Sequence, residues 1–257
     1  MEFTFKKKYG QNFISDKNLI NKICSLIDVK EDDLVIEIGP GAGAITSRLT
    51  QYNSYYLAYE IDTDLDIYLS KFTSSKFKII YDDFLKRDIK EDIKNIPYKN
   101  LYIVGNLPYY ITTPILLKLI DEDIISSKNI FMVQKEFGDR LCATPGNREY
   151  GSITVLLSNY YYIKKEINVP KELFNPRPKV DSLILSFTYK DNNINNKQYK
   201  KFVRDAFQYK RKNLRNNLKD YNLEEIEKIL NKYNYSLSNR AEDIPYEVFV
   251  DIVNSIF

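Results

Sequence analysis

The chain of 257 residues carries 38 basic and 35 acidic side chains, a formal net charge of +3, two cysteines and no histidine. Without histidine there is no His-based general acid, no Ser-His-Asp triad and no His metal site, and Cys24 and Cys142 make neither a zinc ligand set nor a disulfide framework, so no metal is expected. No apolar stretch approaches membrane-spanning length and Met1 to Lys8 lack the apolar core of a signal peptide, so a cytoplasmic protein without a membrane partner is expected.

In chain order, the first strong pattern is Leu34-Val35-Ile36-Glu37-Ile38 running into Gly39-Pro40-Gly41-Ala42-Gly43 and then a helical stretch. This reads as strand, glycine loop, helix, and three of only 8 glycines are placed in that loop. Such a turn at the carboxyl end of a parallel strand lets backbone approach a nucleoside closely. The alternating glycines, with Ala44 where a dinucleotide fingerprint has its third glycine, argue against a bound pyrophosphate. A plain strand-to-helix turn is the alternative. Tyr55-Tyr56-Leu57-Ala58-Tyr59-Glu60 predicts a second strand, ending about twenty residues beyond the loop on an acid placed to accept ribose hydroxyls. Phe77-Lys78-Ile79-Ile80-Tyr81 predicts a third, ending on Asp82-Asp83, where Asp83 could accept from an adenine amino group; either acid alone could be a solvated strand end or a helix cap.

A fourth strand, Leu101-Tyr102-Ile103-Val104, opens into Gly105-Asn106-Leu107-Pro108-Tyr109-Tyr110. The amino nitrogen of adenine is a poor nucleophile because its lone pair is delocalised into the ring. Two acceptors, the Asn106 side-chain oxygen and the Leu107 carbonyl, can each take one N–H and aim the lone pair at an incoming methyl group. Pro108 holds Leu107 extended and keeps that carbonyl out of a helix, and Tyr109 is placed to stack on the base. An ordinary turn is again the alternative, but four successive strand ends carry Gly-x-Gly-x-Gly, Glu60, Asp83 and Asn106, and ligands of doubly wound sheets bind at those ends. Later, Ser182 to Phe187 predicts an antiparallel strand that closes a mostly parallel sheet, Asp191 to Asn196 a linker, and Tyr199, Phe202, Val203, Ala206 and Phe207, continued by Leu214 and Leu218, one apolar helical face. The fold class is α/β, with a catalytic domain over residues 1–190 and a small helical domain over 197–257.

These residues resemble the S-adenosylmethionine-dependent rRNA adenine N6,N6-dimethyltransferases of the KsgA type. The resemblance rests on five ordered motifs: Lys8-Tyr9-Gly10-Gln11-Asn12-Phe13-Ile14, Glu37 to Gly43, Asn106 to Pro114, Phe174-Asn175-Pro176-Arg177-Pro178-Lys179-Val180-Asp181-Ser182, and Arg240-Ala241-Glu242. It implies a Rossmann-like class I methyltransferase sheet with an all-helical C-terminal domain, and dimethylation of two adjacent adenines near the 3′ end of small-subunit rRNA. It further implies that Asn12, Ile14, Gly39, Gly41, Glu60, Asp83 and Asn106 surround S-adenosylmethionine, that Asn106, Leu107, Pro108 and Tyr109 act on the base, and that Phe174 covers the base's second face. For Phe174 a core anchor beside two prolines is the alternative.

Charge is concentrated. Residues 197–215 hold eight basic side chains against Asp205, a local +7, so the remainder sums to −4. Lys200, Arg204, Lys210, Arg211, Lys212 and Arg215, with Tyr209 among them, form the footprint expected for RNA phosphates, and Lys6 to Lys8, Arg140 and Arg148 could extend it. A solvated helix face is the bland alternative. The expected partner is small-subunit rRNA within a late pre-30S particle, met by a monomer. Among rival functions, Erm-type enzymes methylate large-subunit rRNA, but Leu107, Tyr110 and Lys179 to Ser182 favour the small-subunit family. DNA adenine methyltransferases commonly have a second proline at the position of Leu107 and would need a larger recognition domain. A non-catalytic assembly factor could dispense with Asn106 and Tyr109.

Overall fold

The computed structural model describes residues 12–190 and 196–257. Lys6 to Gln11, with most of the N-terminal motif, and the linker residues 191–195 lie outside them. Nine strands are described: β1 (Phe13–Ile14), β2 (Leu34–Ile38), β3 (Tyr55–Glu60), β4 (Phe77–Tyr81), β5 (Leu101–Asn106), β6 (Lys128–Gln134), β7 (Tyr161–Val169), β8 (Phe174–Asn175) and β9 (Ser182–Tyr189). The helices are α1 (Lys17–Cys24), α2 (Thr46–Leu49), α3 (Asp66–Leu69), α4 (Ile89–Ile93), α5 (Thr112–Asp121), α6 (Lys135–Leu141), α7 (Ser152–Tyr160), α8 (Asn196–Ala206), α9 (Leu214–Asn217), α10 (Leu223–Lys232) and α11 (Tyr246–Ile256).

Seven strands form one sheet in the order β4-β3-β2-β5-β6-β9-β7. β2 pairs parallel with both β3 and β5, with Ile38 opposite Tyr59 on one side and Gly105 on the other. From β2 the chain moves outward through β3 and β4, then returns to β5 and builds the other way. Strand order therefore reverses between β2 and β5, and a crevice at their carboxyl ends follows from the connections alone. All five residues of β2 are buried, as a central parallel strand covered on both faces requires. β9 runs antiparallel to β6, with Phe131 opposite Leu185, as Ser182 to Phe187 predicted. The two-residue strands β1 and β8 form a separate antiparallel pair, Ile14 opposite Phe174.

The chain divides into two compact units, and their boundary differs from the expected one. One unit comprises residues up to Gly138 together with Lys164–Tyr189; the other comprises Asp139–Ile163 with Lys190–Phe257. Residues 139–163 thus leave the expected domain of residues 1–190 and join the C-terminal helices. The reason lies in α7, which packs on α8 and α11. Val155 and Leu157 are fully buried there, the Tyr199 hydroxyl donates to the Val155 carbonyl at 3.0 Å, and the Tyr160 and Tyr199 rings meet edge to face at 6.5 Å. The apolar face expected over residues 199–207 is present, with Tyr199, Phe202, Val203 and Ala206 all at most 1% exposed.

Candidate active site

At the end of β2 the chain turns through Gly39, Gly41 and Gly43, all left-handed at φ of 70°, 59° and 79°. Around Gly39 a Cβ would meet nothing within 4 Å, so this stretch of backbone faces open space. The Gly41 amide donates to Glu60 Oε2 at 3.1 Å and the Asp62 amide to Oε1 at 2.9 Å. Glu60 is 5% exposed, and burial lifts its carboxyl above the ordinary range while those N–H groups pull it back. The strand-end acid is thus locked to the glycine loop rather than splayed into solvent.

Glu37, two residues before Gly39 and within β2, is 2% exposed. Its Oε2 accepts from the Thr46 hydroxyl at 2.5 Å and the Tyr56 hydroxyl at 2.6 Å. Burial pushes its carboxyl up to about 7, against the downward pull of those two donors. Asp83 caps the short turn at Phe84–Lys86 by accepting from the Leu85 amide at 3.0 Å, and it lines the same cleft as Gly39 and Glu60.

Asn106 ends β5. Its Nδ2 donates to the Asn12 carbonyl at 2.8 Å, which fixes the amide and turns Oδ1 into the acceptor. The next two carbonyls have different fates. That of Pro108 accepts from the Ile111 amide and the Thr112 hydroxyl, both at 3.1 Å, and so starts α5. Leu107 donates its amide to the Met132 carbonyl at 3.1 Å, its side chain is 1% exposed, and no described residue donates to its carbonyl. Tyr109 is half-buried with its hydroxyl 3.0 Å from Ser182 Oγ, which pins the ring to the head of β9.

All seven expected cofactor residues, Asn12, Ile14, Gly39, Gly41, Glu60, Asp83 and Asn106, line one cleft. Pro108 and the 60% exposed Tyr110 stand on its wall, whereas Leu107 and Tyr109 lie beside it. Phe174 is placed differently from the expected base-covering role. It is 5% exposed and belongs to an apolar cluster with Ile14, Leu19, Ile23 and Val169, because the β1–β8 pairing draws it inward. Sequence reasoning missed the apolar walls Ile38, Ile61, Leu65 and Phe84; a signal existed, since Ile61 and Phe84 each directly follow one of the flagged acids. It also missed the individual part of Glu37, which depends on Tyr56, nineteen residues away.

The basic residues lie in the second unit. Arg204, Lys210, Arg211, Lys212 and Arg215 are exposed and Lys200 is half-buried. Buried Asn217 fastens the turn that bears three of them: its amide donates to the Ala206 carbonyl at 2.7 Å and its oxygen accepts from the Tyr209 amide at 3.2 Å. Tyr209 is 57% exposed. Lys201, by contrast, is engaged with Asp205 and the Tyr221 hydroxyl.

The family model for ribosomal RNA adenine dimethylase matches residues 2–257. A protein described as ribosomal RNA small subunit methyltransferase A from Aster yellows witches'-broom phytoplasma is 43% identical over 257 residues, covering 97% of this chain and 95% of that one. One of the same description from Mycoplasma mobile is 40% identical over 253 residues, with 97% of each covered. Among solved structures, a dimethyladenosine transferase from Plasmodium falciparum aligns with a TM-score of 0.80 at 23% identity, over 94% of this chain and 96% of that one. The 23S rRNA methyltransferase ErmE aligns with a TM-score of 0.72, also at 23% identity, over 95% and 99%. These two likenesses bear on the fold.

Proposed function

Because the chain belongs to the ribosomal RNA adenine dimethylase family, we propose that it dimethylates the N6 amino groups of two adjacent adenines near the 3′ end of small-subunit rRNA, acting as a cytoplasmic monomer on a late pre-30S particle. The observation that carries the chemistry is the pairing of a fixed Asn106 Oδ1, which lines the cleft, with the neighbouring Leu107 carbonyl, to which no described residue donates. S-adenosylmethionine supplies a methyl group on a sulfonium that needs no further activation. The cleft suits it: Gly39 leaves room for a close ligand, Glu60 offers a buried carboxylate to ribose hydroxyls, and the second oxygen of Asp83 offers an acceptor to the adenine amino group.

With a target adenine flipped out of its strand, Asn106 and Leu107 each accept one N6 hydrogen and direct the lone pair at the methyl carbon. The new N–C bond forms as the methyl–sulfur bond breaks, and the proton of the resulting cationic amine passes to water, which is compatible with the absence of histidine. Tyr109, its hydroxyl held by Ser182, presents a ring for stacking worth roughly 1–3 kcal/mol. Burial holds its phenol above the usual range, so it remains neutral. No helix among the described residues is long and apolar enough to cross a membrane.

Labelled methyl transfer tests this reading. Dimethyladenosine is expected from unmethylated small subunits and not from large-subunit rRNA; label in the large subunit would make the chain an Erm-type enzyme, and none in either would favour an assembly factor. For RNA, Arg204, Lys210, Arg211, Lys212 and Arg215 are the phosphate contacts, with Lys200 at their border. Lys210→Glu with Arg211→Glu is expected to weaken particle binding and to reduce the slope of log affinity against log salt by about 0.7 to 0.9 per lost contact. Equal slopes for variant and parent would move the RNA surface elsewhere.

A further inference from the structure

Residues 206–217 hold Lys210, Arg211, Lys212 and Arg215 and no acidic side chain, and Tyr209 stands directly before the first of these cations. Phosphate contacts account for the cations and leave the ring without a task. A lone exposed tyrosine is ordinary; its surroundings set this one apart. Among the described residues of the second unit three tyrosines are exposed, Tyr162 at 67%, Tyr209 at 57% and Tyr233 at 40%. The Lys190 ammonium covers the Tyr162 ring, 4.3 Å from its centroid, and the Tyr233 hydroxyl donates to Asp251. Tyr209 has no hydrogen bond at its hydroxyl, no aromatic partner and no cation over its face among the described residues.

Its backbone, in contrast, is held from both sides. Buried Asn217 accepts from the Tyr209 amide at 3.2 Å and donates to its carbonyl at 3.4 Å. The Lys212 amide closes the turn on that same carbonyl at 2.8 Å. The Lys210 ammonium reaches the Arg148 carbonyl at 3.4 Å, which ties the turn to a second loop bearing an exposed cation. A ring whose main chain is fixed, and whose faces and hydroxyl are uncommitted, loses little conformational freedom on meeting a ligand.

The ligand follows from the company the ring keeps, on the reading that these cations meet RNA. Phosphates give a phenol ring nothing to cover, and a paired A-form helix keeps its base faces stacked inside. We propose that Tyr209 stacks on an unpaired RNA base, so that the basic turn takes a looped, bulged or single-stranded segment, a recognition point separate from the methylated adenines. Arg204 before the ring and Lys210 to Lys212 after it hold the backbone around that nucleotide, and the ring holds its base. Discrimination among bases is weak, because every base offers a π face. A protein of the particle suits the patch less well, since charged side chains are depleted at the core of protein interfaces.

Stacking and phosphate contacts differ in their response to salt. Neutralising a phosphate releases counterions and sets the salt slope, whereas a neutral ring releases none. Tyr209→Ala therefore weakens binding of a looped RNA hairpin about tenfold at every salt concentration. Its slope, and its affinity for a fully paired duplex of equal charge, stay those of the parent. Tyr209→Phe keeps the ring and binds the hairpin like the parent. Lys210→Glu with Arg211→Glu does the reverse, lowering the slope on both RNAs.

The chain contains no tryptophan, so Tyr209→Trp places a single indole at the site. The full-length variant is titrated with the hairpin and with the duplex while indole emission is followed, and thermal melting verifies that each variant is folded. Quenching by the hairpin and not by the duplex is expected, together with loss of the hairpin preference in Tyr209→Ala. Equal emission from free and hairpin-bound protein, or equal losses on hairpin and duplex for Tyr209→Ala, overturns the stacking while the RNA reading stands. Weaker binding of small-subunit particles by Tyr209→Ala with hairpin affinity intact assigns the ring to a protein partner and overturns the proposal. No binding of either RNA by the parent, or binding that ignores salt, overturns both.

Discussion

Asn106→Ala is expected to lower single-turnover methyl transfer by about 10²–10³-fold, the scale of one lost electrostatic partner at a reacting centre, roughly 3 kcal/mol. Oδ1 is one of only two acceptors offered to the amino nitrogen, and the remaining one, the Leu107 carbonyl, cannot localise the lone pair alone. Binding of the ribosomal particle should change far less, because the cations proposed to meet RNA lie in the other unit of the chain. A secondary effect is also expected, since the Asn12 carbonyl loses its donor and Asn12 lines the cofactor cleft. Asn106→Asp separates the two: it keeps an acceptor but sets a carboxylate against the Asn12 carbonyl, so cofactor affinity should fall more than in the alanine variant. Unchanged methyl incorporation by Asn106→Ala would remove this residue from the chemistry.

The second large effect is expected from a single methyl group at Gly105. A Cβ there would lie 2.8 Å from the Ile38 carbonyl oxygen and 2.9 Å from Leu107 Cδ2. Gly105 faces Ile38 directly across the β2–β5 pairing, so relief requires backbone movement where the sheet opens into the cleft, with Gly39 and Asn106 as immediate neighbours. Gly105→Ala should destabilise the protein by about 1–3 kcal/mol, as overpacking does, which lowers Tm by several degrees for a chain of this size. Cofactor affinity should fall with it, because the glycine loop and Asn106 separate. Thermal unfolding and calorimetry on the same sample check both, and a variant that melts and binds like the parent would refute the close-approach role.

How legible the site was depends on the range of the interactions that build it. Gly39 to Gly43, Glu60, Asp83 and Asn106 could be aligned from sequence because each is a local event, a polar or glycine residue terminating an apolar run, and the parallel sheet sets those ends side by side. β1 and β8 are two residues each, too short for any period. Phe174 had two readings, base cover and core anchor, for that reason: only its pairing with Ile14, far away in sequence, turns it into the core. Glu37 stood in plain view within a motif, but a buried acid and a solvated one look alike until Tyr56 and Thr46 are found over it. The domain boundary failed on an assumption of continuity, since the linker before α8 is an obvious break and nothing local marks residue 139.

That discontinuity has a consequence for the birth of the protein. As the chain leaves the ribosome, α7 emerges before α8, α10 and α11, and the faces of Val155, Leu157 and Tyr160 wait for partners that come after β9 has been made. A fragment ending at residue 190 would carry the complete sheet together with a bare apolar helix, and so would be prone to self-association. The protein cannot be halved by one cut, and its last residues must be translated before an early segment finds shelter.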